Sequence, residues 1–341
     1  MTEIDHAHGV SDEFLDHLDE LARNESGAWW RDVLLRDDLF IAVRRSSLNV
    51  YYRGGSLYRI DEKDDGTASP KTHVKYLVRQ QQVLAELKDG EFKLPTTGKF
   101  KKQREIVWKR YQSGVTLRDM IRSASDLAGV EKTGLHPLIV GNSHVIDVEV
   151  SLERAGEAEP IEPEVTDDDH DTEQKKRFQD RIDVTTLERK EDTIAVVFHE
   201  AKHFTNPALR AKTGDPDVID QLRRYQKAIH HHRDLLIERY KATCRAHRKL
   251  DAIRRRVRAE HGKTTKELNS LIQEVTAGAA LTIDPDPRLV IFGYDGDQKR
   301  EGGPLESALE DLRQNDPKLE IYTVGDPKAA TGAFRPPKRG K

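Results

Sequence analysis

Cysteine is almost absent, with Cys244 the only one in 341 residues. One thiol excludes an internal disulfide and any cysteine-built zinc site, and such usage fits a reducing cytoplasm. Long apolar runs are missing too: no stretch approaches the roughly 18 residues that read as a membrane span. The opening MTEIDHAHGV has neither a basic n-region nor an apolar h-region. The expected setting is cytoplasmic, with no membrane partner. An excess of one charge is lacking as well, since 57 Lys and Arg stand against 60 Asp and Glu for a net charge of −3. That excludes a global basic field, so any nucleic-acid partner must be held by a local patch. Apolar residues make up 36 % and charged residues 34 %, which suits solvated helices and loops around a modest core.

What is present reads as two units. Residues 12–25 repeat Phe14, Leu15, Leu18 and Leu21 at helical spacing. Three β-rich runs follow at about 39–44, 48–53 and 56–61, broken by Ser-Ser and Gly-Gly turns. Helices are expected at 72–88 and 101–125, with a boundary near 97. Beyond it come strands at 143–153, 176–188 and 192–204. The first connection between them carries nine acids from Glu157 to Glu173 and no Lys or Arg, as in a solvated hairpin tip. The second is the short turn RKED. From Asp217 a helical pattern extends more than 35 residues, suggesting a helical-hairpin arm over about 217–277, bent around EHGKTT. A strand at RLVIFGYD, a helix at PLESALEDLRQ, a strand at LEIYTV and a disordered basic tail over 331–341 complete the chain. The expectation is an α/β (α+β) protein: a small amino-terminal module, 1–97, and a mixed sheet flanked by helices, 98–330.

The stretch TIAVVFHEAKHF poses the functional question. Glu-x-Lys also occurs at Glu86–Lys88, Glu91–Lys93, Glu173–Lys175 and Glu188–Lys190, but only Glu200–Lys202 ends an unbroken apolar strand. Residues two apart on a strand share a face, on the order of 7 Å from one another. Glu200 and Lys202 are therefore expected together, with His199 and Ala201 opposite. A short turn makes Asp183 a cross-strand neighbour of roughly residues 198–200. Two carboxylates so placed repel, and a hard divalent ion relieves the repulsion. Such an ion beside a lysine of lowered pKa is the equipment of phosphodiester hydrolysis.

Asp183, then Glu200-Ala201-Lys202 seventeen residues later, then a helix, resembles the PD-(D/E)XK nuclease superfamily. Gln221 and Tyr225, four apart on that helix, resemble the Gln-x-x-x-Tyr motif of its RecB-like branch. The resemblance covers about residues 101–325 and implies a restriction-endonuclease-like α-β-β-β-α-β core. By it, Asp183, Glu200 and the Ala201 carbonyl hold Mg²⁺, with Mn²⁺ able to substitute, Lys202 is the catalytic lysine, and Gln221 and Tyr225 assist. Ile182 stands where many members have Pro. A further acid on the first core helix is matched by Glu105, while the first core strand offers Asp147 and Glu149; the sequence does not choose among them. The resemblance implies DNA as substrate, in restriction, anti-phage defence or repair, and a homodimer or a subunit of a larger complex. A silent nuclease-fold scaffold and an RNA-directed nuclease are the alternatives.

Arg245, Arg248, Lys249, Arg254 and Arg255 lie in a basic stretch of the expected arm, suited to phosphate contact. Tyr51, Tyr52, Arg53 and Tyr58 read as packing of the small sheet rather than base stacking. His230, His231 and His232 point about 100° apart on a helix and cannot all face one ion.

Overall fold

A computed structural model describes residues 8–80, 86–88, 91–93, 104–106, 110–153, 179–211, 214–329 and 333–334. The acidic stretch 157–173 and the tail beyond 334 lie outside the described residues. Helices are α1 (Asp12–Arg23), α2 (Ala28–Leu34), α3 (Thr116–Leu127), α4 (Val130–Gly141), α5 (Asp217–His231), α6 (Arg233–Glu260), α7 (Ser270–Thr276), α8 (Gly296–Lys299) and α9 (Pro304–Asn315). Strands are β1 (Phe40–Arg44), β2 (Ser47–Tyr52), β3 (Gly55–Glu62), β4 (Ala68–Lys71), β5 (Val78–Gln80), β6 (Glu86–Lys88), β7 (Glu91–Lys93), β8 (Arg104–Ile106), β9 (Val145–Glu153), β10 (Gln179–Lys190), β11 (Thr193–His203), β12 (Leu281–Ile283), β13 (Arg288–Phe292) and β14 (Ile321–Val324). The class is mixed α and β, as expected.

In the amino-terminal part, Ser11 caps α1 by accepting the Phe14 N–H at 2.9 Å. The i, i+4 spacing of Phe14 and Leu18 turns one face of α1 inward, and both are fully buried. The meander β1-β2-β3 gains a fourth strand, β4. Its β2–β3 turn has Arg53 at φ 48° and Gly54 at φ 76°, the two left-handed residues that a tight two-residue hairpin needs. Among the described residues of 72–88, where a helix is expected, no α-helix forms. Val74–Tyr76 is a 3-10 turn, and Val78–Gln80 pairs with Arg104–Ile106; β-branched Val74 and Val78 favour extended backbone over helix. Of the helix expected over 101–125, Arg104–Ile106 is strand and the described helix runs from Thr116.

The main sheet runs β14-β13-β11-β10-β9, with β12 also paired to β11. β9, β10 and β11 are antiparallel neighbours, while β13 and β14 add in parallel. One face packs against α5, the first half of α6 and α7, through Phe198, Leu222, Tyr225 and Tyr240. Its other face packs against α4, Ala333, Phe334 and, from the small sheet, Ala42 and Tyr51.

The expected arm is different in kind. The long helical pattern breaks at His232 between α5 and α6, and the chain leaves the helix again at His261. α6 is not an outlying arm: Leu236, Tyr240 and Cys244 belong to the main-sheet core, whereas Ala246, Leu250, Ile253 and Val257 belong to the core of the amino-terminal sheet. With 28 residues it is about 42 Å long, enough to serve both.

Candidate active site

The β10–β11 ladder is printed into the sequence by a two-residue turn, Glu191–Asp192, closed by the pair Lys190↔Thr193. Pairing then runs without a slip to Val184↔His199 and stops. Continued by one residue, the register sets Asp183 opposite Glu200. The β9–β10 pairs Ile182↔Val150 and Val184↔Val148 likewise set Asp183 opposite Glu149. Three acids thus stand in one row across three neighbouring strands, at the point where the ladder opens. Like charges directly opposite one another are destabilising, so the row needs cations.

Two lysines supply them. Lys202 donates to Glu200 Oε1 at 2.5 Å. Lys132, from the first turn of α4, donates to Glu149 Oε1 at 2.5 Å and to Asp183 Oδ1 at 3.0 Å. Where backbone pairing ends, the other Asp183 oxygen accepts the Ala201 N–H at 3.0 Å. Glu149 holds φ 53°, a left-handed conformation that costs a non-glycine residue roughly 1–3 kcal/mol.

The α5 residues meet the row from one face. The Tyr225 hydroxyl is 3.0 Å from Glu200 Oε2 and 2.5 Å from the Arg181 carbonyl, and Gln221 Nε2 donates to that hydroxyl at 2.5 Å. Gln221 therefore reaches the acids only through Tyr225. The expected opposition of His199 and Ala201 is also seen: His199 packs on Phe334 with rings 5.1 Å apart, and Ala201 is buried in the cluster on the α4 side.

The electrostatics follow from burial and pairing. Burial, together with the Asp183 charge, pushes Glu200 from 4.5 up to about 8, against the pull of Lys202. Burial also raises Glu149, with Lys132 opposing. For Asp183 burial acts in the same direction, but Lys132 and Lys202 outweigh it and bring its pKa below the usual carboxylate range. Lys202 is expected from the sequence to have a lowered pKa. It has a raised one: burial lowers it, and Glu200 and Asp183 overcome that.

No protein-family model, curated protein or solved structure matches this chain. The site is therefore read from its own geometry. Asp183, Glu200, Lys202, Gln221 and Tyr225 come together. Glu149 joins them, whereas Asp147 lies elsewhere, buried between Arg44 at 2.5 Å and Arg239 at 3.4 Å. Glu105 is on strand β8 and not on a core helix; the helix preceding β9 is α4. That helix brings Lys132 to the row and Glu131 to the His203 N–H at 3.1 Å and the Asn206 amide at 2.7 Å. Both went unseen in the sequence. No spacing rule in the sequence links Glu131-Lys132, in the first turn of α4, to strands β9, β10 and β11.

Among the described residues no three acid, imidazole or thiol groups are gathered so as to hold a metal. The Lys132 ammonium stands between Glu149 and Asp183 as a cation would. The donor set is carboxylate oxygen, which suits a hard divalent ion, and Asp183 with Glu200 or Glu149 could hold one once Lys132 gives way.

Of the basic residues, Arg245, Arg248 and Arg255 are exposed. Lys249 is paired to Asp12 at 3.1 Å and Asp16 at 2.7 Å, and Arg254 is half-buried. Arg255 pairs with Asp251 at 2.6 Å. Arg245, Arg248 and Lys249, with Ala252 and Thr276, line an open surface hollow of about 340 Å³. Part of the basic stretch is thus structural: Arg258, 5 % exposed, is held by Asp37 and by backbone carbonyls of Leu35 and Thr264. Of the three consecutive histidines, His232 bonds the Glu153 carbonyl at 3.1 Å and meets His231 edge to face.

Proposed function

We propose that this protein is a Mg²⁺-dependent nuclease that hydrolyses DNA phosphodiester bonds. The observation that carries this reading is the row Glu149, Asp183 and Glu200 at the open end of the β10–β11 ladder, with Lys202 bonded to its last member. A bound Mg²⁺ would supply Lewis acidity and a more acidic water. The chain's own part is to offer oxygen ligands from two rigid strands, Asp183 and Glu200, and a cation, Lys202, to face substrate phosphate. Lys202, cationic through its acidic neighbours, is suited to orient a phosphate or an attacking hydroxide rather than to remove a proton from neutral water. Tyr225 and Gln221 fix where the Glu200 carboxyl points. The exposed Arg245, Arg248 and Arg255 suit the flanking phosphates of a polyanion. A restriction, anti-phage or repair setting, and a homodimer or larger complex, accompany this reading.

One observation favours a second reading, a silent nuclease-fold scaffold: Lys132 already neutralises Glu149 and Asp183. The test is to incubate supercoiled plasmid, linear duplex, single-stranded DNA and RNA with the protein and Mg²⁺, Mn²⁺ or EDTA. Expected is metal-dependent cutting that falls at least about 100-fold in Asp183→Asn and Lys202→Ala, since each removes a group facing the reacting phosphate. Salt-sensitive DNA binding without cleavage would favour the scaffold, and cleavage of RNA alone would change the substrate.

A further inference from the structure

Lys132 differs from the other charged groups of the row in how it is carried. It comes from α4, not from the sheet, and its ammonium bridges two strands by bonding Glu149 at 2.5 Å and Asp183 at 3.0 Å. Its aliphatic stem lies on the β2–β3 turn of the amino-terminal sheet. A Cβ added at Gly54 would come within 2.8 Å of Lys132 Cδ and 3.0 Å of its Cγ. One helical turn further along α4, His136 Nδ1 accepts the Arg53 N–H at 3.2 Å, and its Nε2 lies 2.9 Å from the Asp38 carbonyl. The hairpin turn is therefore fixed to α4 at both 132 and 136, and the amino-terminal sheet backs the lysine that closes the acidic row.

We infer that Lys132 is a tethered cation that competes with a divalent ion for Glu149 and Asp183, and that the Arg53–Gly54 turn sets how readily it yields. This rests on the metal-dependent reading of the site. An ammonium and a metal ion cannot share the same carboxylate oxygens at these distances, because two cations a few ångströms apart repel. Removing the ammonium leaves Glu149 with Arg181 at 3.9 Å and Asp183 with the Ala201 N–H and the charge of Lys202, and takes away the one cation hydrogen-bonded to both carboxylates, a loss a divalent ion makes good. A substrate phosphate offers the displaced ammonium a new partner, so ion and polyanion should bind with positive coupling, and the coupling must be reciprocal.

The test is Mn²⁺ binding, followed by the electron paramagnetic resonance signal of the free ion, to the full-length protein and to Lys132→Met, Lys132→Arg and Lys132→Met/Asp183→Asn. Lys132→Met should bind Mn²⁺ at least about tenfold more tightly than the wild type. Lys132→Arg, which keeps the charge, should bind no more tightly than the wild type, and the double variant should lose the gain. A non-cleavable phosphorothioate duplex should tighten Mn²⁺ binding to the wild type and have less effect on Lys132→Met. Circular dichroism melts show whether each variant is folded, and metal-free Lys132→Met should melt lower than the wild type and recover with Mn²⁺. Equal or weaker binding by folded Lys132→Met, with the wild type still cutting DNA, overturns this inference alone. Absence of Mn²⁺ binding in every protein, together with absence of cleavage, overturns both it and the nuclease reading. Should Lys132→Met fail to fold, Lys132→Gln, which removes the charge and keeps a polar head, decides: it should bind Mn²⁺ more tightly than the wild type, and unchanged binding would overturn the competition. His136→Gln, which loosens the turn from α4, should shift Mn²⁺ affinity with Lys132 in place, and no change would overturn the role of the turn.

Discussion

Tyr225 has one hydroxyl hydrogen and two neighbours that accept, the Arg181 carbonyl at 2.5 Å and Glu200 at 3.0 Å, while Gln221 already donates into its oxygen. Every contact is satisfied if Glu200 is protonated: it donates to Tyr225, and Tyr225 donates to Arg181. Burial and the Asp183 charge, which raise the Glu200 pKa to about 8, favour that proton, while donation from Tyr225 to the ionised carboxylate opposes it. A folded-state pKa above the unfolded 4.5 means the native protein holds a proton the unfolded chain has released. Its stabilisation is full below 4.5 and lost as pH rises through about 8, at up to about 1.4 kcal/mol per pH unit. In metal-free protein, the wild-type melting temperature should therefore fall between pH 5 and 8.5 relative to Glu200→Gln, as calorimetry would show; parallel pH profiles would contradict the protonated carboxyl. Asp183 acts in the opposite sense. Its lowered pKa stabilises the fold above the ordinary 3.8 and that contribution is lost only on acidification. Tyr225→Phe should cost about 1–2 kcal/mol in urea denaturation by stranding buried partners. At this scale the sequence was informative where a short turn fixes the register: Asp183, Glu200 and Lys202 meet because Glu188 pairs with Ala195. It was silent on Lys132, whose partners Glu149 and Asp183 lie 17 and 51 residues away in the chain.

α4 is the element whose sequence hides it best. VEKTGLHPLIVG contains Gly134 and Pro137, both poor helix formers, yet the glycine has a place. Gly134 lies where α4 crosses β13: a Cβ there would approach Phe292 Cε2 to 2.7 Å. Gly134→Ala gains about 1 kcal/mol of helix propensity, but overpacking costs typically 1–3 kcal/mol. A net loss is expected in urea denaturation, together with altered metal affinity, because Lys132 is half a turn away. The strands were easier to read, since β-branched runs between turn residues say where they begin and end. The 72–88 segment misled because its apolar spacing fits either period, and pairing with β8 decided for strand. The long helical run was legible as helix but not as core. An alternation of basic and apolar residues looks the same on a solvated arm and on a helix buried along two sides.

For the whole molecule, α6 matters most. It lends Leu236, Tyr240 and Cys244 to one core and Ala246, Leu250, Ile253 and Val257 to the other, and Arg44 of the small sheet is buried against Asp147 of the main sheet at 2.5 Å. Arg44→Ala should destabilise the protein by about 3 kcal/mol, less any compensation from Arg239, as a shift of the urea midpoint. Removing residues 1–97 should uncover the second half of α6 and give an aggregating chain on size-exclusion chromatography; a monodisperse fragment with a cooperative melt would contradict this. The same helix imposes an order on biosynthesis. Arg256 bonds Asp19 across 237 residues of chain. At roughly 5–20 residues per second of synthesis, this leaves the amino-terminal sheet without its covering helix for on the order of ten to fifty seconds. During that interval Leu18, Trp30 and Leu48 have no finished core to enter. A nascent chain halted before α6 emerges should therefore be a better client for chaperones than one halted just after it.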